Sequence, residues 1–569
     1  MKIVTPSQMK SIENYSEKLG VSRRQLMQNA GTALADIINE YCVTETLEKS
    51  DKTSIVFLSG SGNNGGDCFV AARILAEQKY KVTVINLCGR PHTPLSQDAF
   101  RLLAGTKVHI LKAYRGQNIK SVMEAAEIDF MTVSQDDMTS ESNEKPEPSA
   151  LVKLQLEEKE RIESAMKVLE NADIIVDGIF GTGFHGKLDK EISEFLTAGK
   201  NAYRFAVDVP SGGNCLDGSS AEGTASANET IVFGALKTGL TQYPLKGFCG
   251  EIRLVDIGIP AEAFETSDSS RKYTLTDEKE LEDFPKKRPE NSHKGNFGRV
   301  LCITGSSGMR GASVLSAMGA LRSGAGLVTI ASVEKVIDSA AILAPEATFC
   351  ELECDNNGYM LFENNCNLLI KEMNRADAIL IGCGMGVTAD TVKLTKFVIE
   401  NANCPITIDA DGINCIASDI DILLKKKTDI ILTPHPGEMA RLMENYADLG
   451  RFAAAEQFAE KYNVTVVLKG SGTIIADAHK TAVNPNGNPG MSCGGSGDVL
   501  AGITASLTAQ GYPSYDAALI SAYLHGLAGD TAAQKLGQEA MLPRDIIDAL
   551  SDSFGIIKKR TSARRRCNL

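Results

Sequence analysis

The chain lacks most of the features that mark a specialised class. None of its 14 cysteines stands in a C-x-x-C pair, and Cys350 and Cys354 are separated by three residues. That argues against a disulfide framework or a zinc ribbon, and free thiols in a reduced compartment are expected. No apolar run approaches the ~18 residues of a membrane helix, and the opening MKIVTPSQMK carries no apolar leader core, so a cytoplasmic protein is expected. Positive charge is in deficit: 59 Lys and Arg against 72 Asp and Glu leave a net −13. That excludes a general binder of nucleic acid or anionic membrane. The basic run from Lys558-Lys559-Arg560 to Arg564-Arg565-Arg566 reads as a solvated, frayed end.

At roughly 100–200 residues per domain, the 569 residues make two to four domains, and 43 % hydrophobic with 23 % charged residues is ordinary for a soluble globular protein. A helical pattern (Met9, Ile12, then Leu26, Met27, Ala30, Ala33, Leu34, Ile37, Ile38) precedes the apolar run Ile55-Val56-Phe57-Leu58. A second helical pattern and the strand Val82 to Leu87 follow, the signature of a right-handed parallel β-α-β unit. Further strands are predicted at 174–177, 204–209 and 229–234. Residues 134–163 read as an acidic surface insertion, disordered and then helical. Residues 262–294 read as a linker. Strand–helix alternation then restarts, with strands predicted at 299–304, 326–332, 377–382, 405–409, 429–433 and 464–468. Two α/β domains are the simplest account.

The first apolar strand runs into Gly60-Ser61-Gly62-Asn63-Asn64-Gly65, a G-x-G-x-x-G at a strand-to-helix junction. Such a junction usually points to a dinucleotide fold, but the acid expected about 20 residues on, to hold the ribose, is missing. The second strand instead ends Leu87-Cys88-Gly89-Arg90, which disfavours an ordinary NAD dehydrogenase. Two asparagines, Gly65, Gly66 and Asp67 remain at the helix entrance. Free N–H groups suit a phosphate, and amide oxygens with a carboxylate suit a hard cation. The plain alternative is a tight turn capped by Asp67, but the stretch is more polar than a turn needs. Gly181-Thr182-Gly183-Phe184-His185-Gly186-Lys187 nearly fits a P-loop, yet Leu188 stands where a magnesium-holding hydroxyl belongs. It follows Asp177 at a strand end, and a third strand end supplies Asp208-Val209-Pro210-Ser211-Gly212. Three polar loops at the rim where open α/β sheets bind ligands point to one shared pocket.

In this order, and preceded by Leu26-Met27-Gln28-Asn29-Ala30-Gly31, these loops resemble the NAD(P)H-hydrate epimerase family. The resemblance implies a Rossmann-like three-layer α/β/α domain over 1–265. It implies K+ on Asn64, Asp177 and Ser211, and a dinucleotide cradled by Asn63, Asn64, Gly65, Gly66, Asp67 and by Gly181 through Lys187 (Thr182, Gly183, Phe184, His185 and Gly186 between them). Asp208 would face the damaged nicotinamide ring and carry the proton as oxygen leaves and returns at C6. Gln28 and Cys68 depart from the family's glutamate and glycine, and Cys68 is expected to narrow the pocket.

Residues 491–500 read MSCGGSGDVL and lead into an apolar helix. Gly494-Gly495-Ser496-Gly497 leaves N–H groups unpaired at a helix start, a nest that binds anions. Asp498, one step inside, can take a proton from an attacking hydroxyl. A G-x-G-D turn also fits a glycine-packed helix cap, so its neighbours decide. Lys469-Gly470-Ser471-Gly472-Thr473 follows a strand and offers a lysine and hydroxyls to phosphates. His435 lies in Thr433-Pro434-His435-Pro436-Gly437-Glu438 at another strand end. Gly382-Cys383-Gly384-Met385-Gly386 ends a third, and Gly324-Ala325-Gly326 follows the domain's first helix.

This second set resembles the ADP/ATP-dependent NAD(P)H-hydrate dehydratases, a ribokinase-like α/β family, over 275–562. The resemblance implies substrate contacts at Gly326, Gly386, His435 and Asp498. It implies nucleotide contacts at Lys469, Gly470, Ser471, Gly472, Thr473 and at Gly494, Gly495, Ser496, Gly497, with Mg2+ and ADP (or ATP). Asp498 would deprotonate the C6 hydroxyl to accept phosphate, whose departure restores the double bond. Cys493 and Cys383 stand where threonine and proline are usual. The two resemblances cover nearly the whole chain and complement each other, because the dehydratase family acts on one epimer only. A bifunctional, homo-oligomeric repair enzyme acting on hydrated NADH and NADPH is expected, with no nucleic-acid or membrane partner. The alternative is a ribokinase-like small-metabolite kinase with a non-catalytic N-terminal nucleotide-binding domain.

Overall fold

The computed structural model describes residues 2–45, 52–114, 148–265, 271–277, 279–281 and 283–567. They fall into two units, Ile3–Ser269 and Ser270–Leu569, the latter with Met1–Lys2. The strands of the first are β1 (Lys2–Val4), β2 (Ser54–Ser59), β3 (Lys81–Asn86), β4 (His109–Lys112), β5 (Ile174–Gly178), β6 (Tyr203–Val207), β7 (Glu229–Phe233), β8 (Leu236–Lys237) and β9 (Glu251–Val255). Seven of these form a sheet in the order β4-β3-β2-β5-β6-β7-β9, parallel throughout. Helices cover both faces, as a parallel sheet requires. In β2, Ile55 and Phe57 join the cluster under the helices Arg23–Glu45 and Asn63–Glu77. Val56 and Leu58, alternating to the other face, join the cluster with Leu169 and Phe195. The strand order reverses beside β2, which has β3 on one side and β5 on the other, and ligands gather at such a switch point. Outside this sheet, β1 and β8 pair in parallel, Val4 opposite Lys237.

The second unit contains β10 (Lys272–Leu275), β11 (Arg299–Ile303), β12 (Leu327–Ser332), β13 (Thr348–Glu351), β14 (Ala378–Ile381), β15 (Ile406–Ile408), β16 (Ile430–Leu432), β17 (Thr465–Leu468), β18 (Ile474–Ala476) and β19 (Lys480–Val483). They run β13-β12-β11-β14-β15-β16-β17 in parallel. An antiparallel β17-β18-β19 ladder follows, and β10 lies parallel to β19. The helix Ser496–Ala509 is buried without a break from Val499 to Ala509, which is why its sequence is apolar all round. It lies close against the helix Arg310–Arg322: a Cβ on Gly502 would sit 2.0 Å from the Ser316 carbonyl oxygen.

Two expectations need correction and one is partly out of view. Residues 262–294 are not a free linker: β10 pairs with β19, and Leu281 and Phe284 belong to a buried cluster. The four-residue KYTL strand is too short and too half-buried to register as an apolar run. The basic end is not frayed, because the helix Pro543–Cys567 continues through it. Of the acidic insertion, residues 134–147 lie outside the described residues, and the remainder belongs to the helix Pro148–Glu170. Among the described residues no helix is long and apolar enough to cross a membrane.

Candidate active sites

In the first unit a cavity of about 730 Å³ opens beside the carboxyl ends of β2, β5 and β6. Asn63, Asn64, Asp67, Gly181, Thr182, Gly183, Phe184, His185, Lys187 and Asp208 line it. Gly65 and Gly66 instead lie buried within the first turn of the helix Asn63–Glu77, and Gly186 stands in the turn between His185 and Lys187. Asp177 and Ser211 are buried at the strand ends rather than on the lining. The Ser211 hydroxyl donates to Asp177 Oδ1 at 2.5 Å and its N–H to Oδ2 at 2.8 Å. Asn64 Nδ2 donates to the carbonyls of Phe180 at 3.0 Å and Val207 at 3.1 Å. Cys68 does not narrow the pocket: it is fully buried, and its Sγ occupies the space that a Cβ on Gly178 would need, 2.1 Å away.

Asp208 holds a left-handed backbone, φ 65°, a strained conformation for any residue with a side chain. Its carboxylate forms an ion pair with Lys237 and accepts the Phe233 N–H at 3.2 Å. Lys237 is only 1 % exposed, and its ammonium also donates to the Phe233 carbonyl at 3.0 Å. Two more carboxyls face the same cavity. Burial pushes Asp67 well above the usual carboxylate range, and the nearby Asp208 and Glu13 charges push the same way. Burial also raises Glu13, against the pull of Lys237. One lysine-paired carboxylate and two carboxyls raised by burial thus face one cavity, an arrangement suited to moving a proton both ways.

In the second unit the ends of β14, β15, β16 and β17 meet the start of the helix Ser496–Ala509. Asp498 is raised to about 7, first by burial and then by the neighbouring Asp409 charge. Asp409, itself buried, accepts from Lys469 Nζ at 2.7 Å and from the Thr433 hydroxyl at 2.7 Å. Burial alone would lower Lys469, but the Asp409 and Glu438 carboxylates outweigh it and leave the lysine raised. The nest lies over this pair: a Cβ on Gly497 would be 3.2 Å from Lys469 Nζ. Gly494 is exposed, while the Ser496 hydroxyl is buried with no partner. Gly470 and Ser471 are exposed, Gly472 is buried, and the Thr473 hydroxyl closes their turn onto the Gly470 carbonyl at 2.9 Å. His435 caps the helix Pro436–Leu442: its Nδ1 accepts from the N–H groups of Gly437 and Glu438 at 3.0 and 3.2 Å, leaving its exposed face to solvent. The Gly386 N–H donates to Asp411 at 2.8 Å, and the Gly326 N–H is tied to the Phe297 carbonyl at 3.0 Å.

The family model described as NAD(P)H-hydrate dehydratase matches residues 300–552, and that described as YjeF-related protein N-terminus matches residues 23–239. The bifunctional NAD(P)H-hydrate repair enzyme Nnr of Moorella thermoacetica is 32 % identical, over 97 % of this chain and 96 % of its own. The chain belongs to the bifunctional NAD(P)H-hydrate repair family. The Escherichia coli enzyme of the same name is 29 % identical over 94 % of this chain and 90 % of its own. A solved structure, the ADP/ATP-dependent NAD(P)H-hydrate dehydratase of Bacillus subtilis co-crystallised with ATP and Mg2+, is 28 % identical, covering 50 % of this chain and 98 % of its own, with a TM-score of 0.43.

Within a repair enzyme of this family, Lys237, Glu13 and Asp409 are the site groups that motif reading did not single out. Lys237 sits in the unremarked stretch GALKTGL. Only its burial and its contact with Asp208 mark it, and a lysine within an apolar stretch is the one signal the sequence offers. The nest itself has a backbone requirement at Gly495, φ 103°, where a Cβ would also lie 2.6 Å from Leu315 Cδ1. A side chain in left-handed backbone costs about 1–2 kcal/mol before any clash. Gly495→Ala is therefore expected to lower dehydration at least tenfold and leave epimerisation unchanged, measured in separate assays on the same preparation.

Proposed function

We propose that the first unit interconverts the two C6 epimers of hydrated NADH or NADPH and that the second dehydrates one of them at the expense of ADP or ATP. The observation that carries this reading is a chain matching two-domain repair enzymes over nearly its whole length, with a lysine-paired carboxylate in the first unit and a carboxyl raised by burial in the second. In the first site a carboxyl raised by burial, Asp67 or Glu13, gives a proton to the C6 hydroxyl, which leaves as water while the electron pair of the ring nitrogen closes onto C6. Asp208, ion-paired with Lys237, takes a proton from the water as it adds to the other face. Asn63, Thr182 and His185 hold the dinucleotide over this group. The oxygens around the Asn64 amide (the Phe180 and Val207 carbonyls, with the Ser211 hydroxyl and Asp177 carboxylate behind) form a hard-donor set that fits K+. Bound there, K+ would supply positive charge to the substrate's phosphates. Asn64→Ala leaves the two carbonyls without their donor, at about 1–3 kcal/mol for each unmatched group. It is expected to abolish any stimulation of epimerisation by K+ over Na+, read as initial rates in the two salts.

In the second site the ionised Asp498 removes the proton from the C6 hydroxyl, which then attacks the terminal phosphorus. The N–H groups of Gly494 to Gly497 receive the charge that develops there as the nucleotide leaves one phosphate shorter; the phosphate then leaves C6 and a proton leaves C5, restoring the double bond. Lys469 is already committed to Asp409, so phosphate charge in the nest calls for a second cation. Mg2+ would arrive on the nucleotide's phosphates and neutralise them. His435, fixed as a helix cap, and Gly386, fixed on Asp411, shape the wall that orients the hydrate. We place the enzyme in the cytoplasm, where its free thiols stay reduced. The test is recovery of NADH absorbance from mixed epimers of NADH hydrate, with Mg2+, K+ and either ADP or ATP. Full recovery with inorganic phosphate as co-product supports the reading and names the nucleotide. A stable phosphorylated product without NADH recovery would overturn it.

A further inference from the structure

We propose that Cys383, Asp409 and Asp498 form a binding site for a thiophilic divalent cation of the zinc class. One ligand atom from each lies within 4.8 Å of the others. Cys383 is wholly buried, and Asp409 is 1 % exposed. The three arrive from different elements, the ends of β14 and β15 and the first turn of the helix Ser496–Ala509, so the cluster is built by the fold and not by sequence proximity. The two oxygens of Asp409 have separate tasks. Oδ1 takes Lys469 and Thr433, while Oδ2 faces Cys383 Sγ at 3.8 Å. Asp498 makes no ion pair among the described residues, so Lys469 balances only part of the charge that Asp409 and Asp498 bring together. A further unmatched donor lies in the loop bonded to Cys383. The Gly305 N–H holds its loop to the Cys383 carbonyl at 2.8 Å, and the next residue, Ser306, carries a buried hydroxyl with no partner.

A sulfur with two carboxylate oxygens suits zinc, with bonds of about 2.0–2.3 Å, and discriminates against Mg2+, which takes oxygen ligands. On binding, the Cys383 S–H bond is replaced by an S–metal bond and one proton leaves to solvent. Three protein ligands leave a fourth position open to water. Occupancy also commits the Asp498 carboxylate to the metal and removes it as a base. This inhibitory consequence rests on the role given to Asp498 above, whereas the binding does not.

Cobalt(II) is the probe, because a thiolate ligand gives it a charge-transfer band in the near ultraviolet. The full-length protein is titrated with Co2+, and Zn2+ is then added as competitor. Wild type is expected to show the band at one equivalent and to lose it to Zn2+. Cys383→Ala should lack that band, and Asp409→Asn should bind at least tenfold more weakly, each with an unchanged circular dichroism spectrum. Cys493→Ala, which removes an exposed thiol nearby, should keep it. A band that survives in Cys383→Ala, or none in wild type, overturns the site. Zn2+ should also stop nucleotide-dependent NADH recovery in wild type, reversibly with EDTA, and at least tenfold less effectively in Cys383→Ala. Binding without inhibition would uphold the metal site and overturn the role of Asp498 instead.

Discussion

Asp498→Asn is expected to lower nucleotide-dependent recovery of NADH by about 10²–10⁴-fold, the usual contribution of a positioned general base, while epimerisation continues at the wild-type rate. The amide fits the same space and keeps the helix start, so a loss confined to dehydration reports the proton-taking group. A pH profile sharpens the test. Asp498 is raised to about 7, and the base must be ionised, so kcat/KM for dehydration should climb from pH 6 to a plateau above about pH 8. Stability should move in the opposite sense. The folded state holds this proton up to a higher pH than the unfolded chain does, so between the unfolded carboxyl's pKa and about 7 stability falls as pH rises. Asp498→Asn removes that cost and should raise the melting temperature at pH 8 more than at pH 5. A variant equally inactive but less stable at pH 8 would point to a structural role.

Lys237→Met should cost the first unit both its activity and much of its stability. Lys237 is 1 % exposed and Asp208 14 %, and removing one partner of a buried ion pair costs about 3–5 kcal/mol because the other charge is stranded. At about 2–4 °C per kcal/mol for a unit of this size, the melting transition of the first unit should fall by on the order of 6–20 °C. Epimerisation should drop by about 10²-fold or more, because Asp208 loses the ion pair that holds it in place as a base. Combining Lys237→Met with Asp208→Asn removes both charges and should recover most of the lost stability while leaving epimerisation dead. If the double variant regained activity along with stability, the pair would be structural only. Slow spontaneous exchange of the epimers sets the floor of the assay and is measured without enzyme.

The strands that pass through the middle of each sheet were legible because both their faces are buried. Ile55 to Leu58 and Ala378 to Ile381 are apolar at every position, and such runs stand out beside glycine-rich ends. Among the strands that escaped notice, HILK in β4, EIRLV in β9 and KYTL in β10 are partly exposed and carry charged or polar residues where a run would be, while IIA in β18 is fully buried but only three residues long. The polar loops were legible for the converse reason, since Asn63-Asn64, Asp177, Asp208, Lys469 and Asp498 interrupt or follow apolar stretches where polarity serves no packing purpose. Lys237 and Glu13 were not, because each acquires its meaning from a neighbour more than 20 residues away. Asp409, directly after β15 in PITID, reads as an ordinary strand end; its role comes from Lys469 and Thr433, which converge on it.

The backbone at Asp208 limits what a substitution there can report. Left-handed conformation is most accessible to glycine, asparagine and aspartate and disfavours alanine and, more strongly, β-branched residues. Asp208→Ala would therefore mix a folding penalty with a chemical one, whereas Asp208→Asn changes the chemistry alone. In a library of all residues at position 208, soluble yield should rank asparagine and glycine near the parent and valine and isoleucine last, whatever their turnover. Such a ranking would show selection at this position acting through two separate filters, one on the shape of the chain and one on the charge it carries.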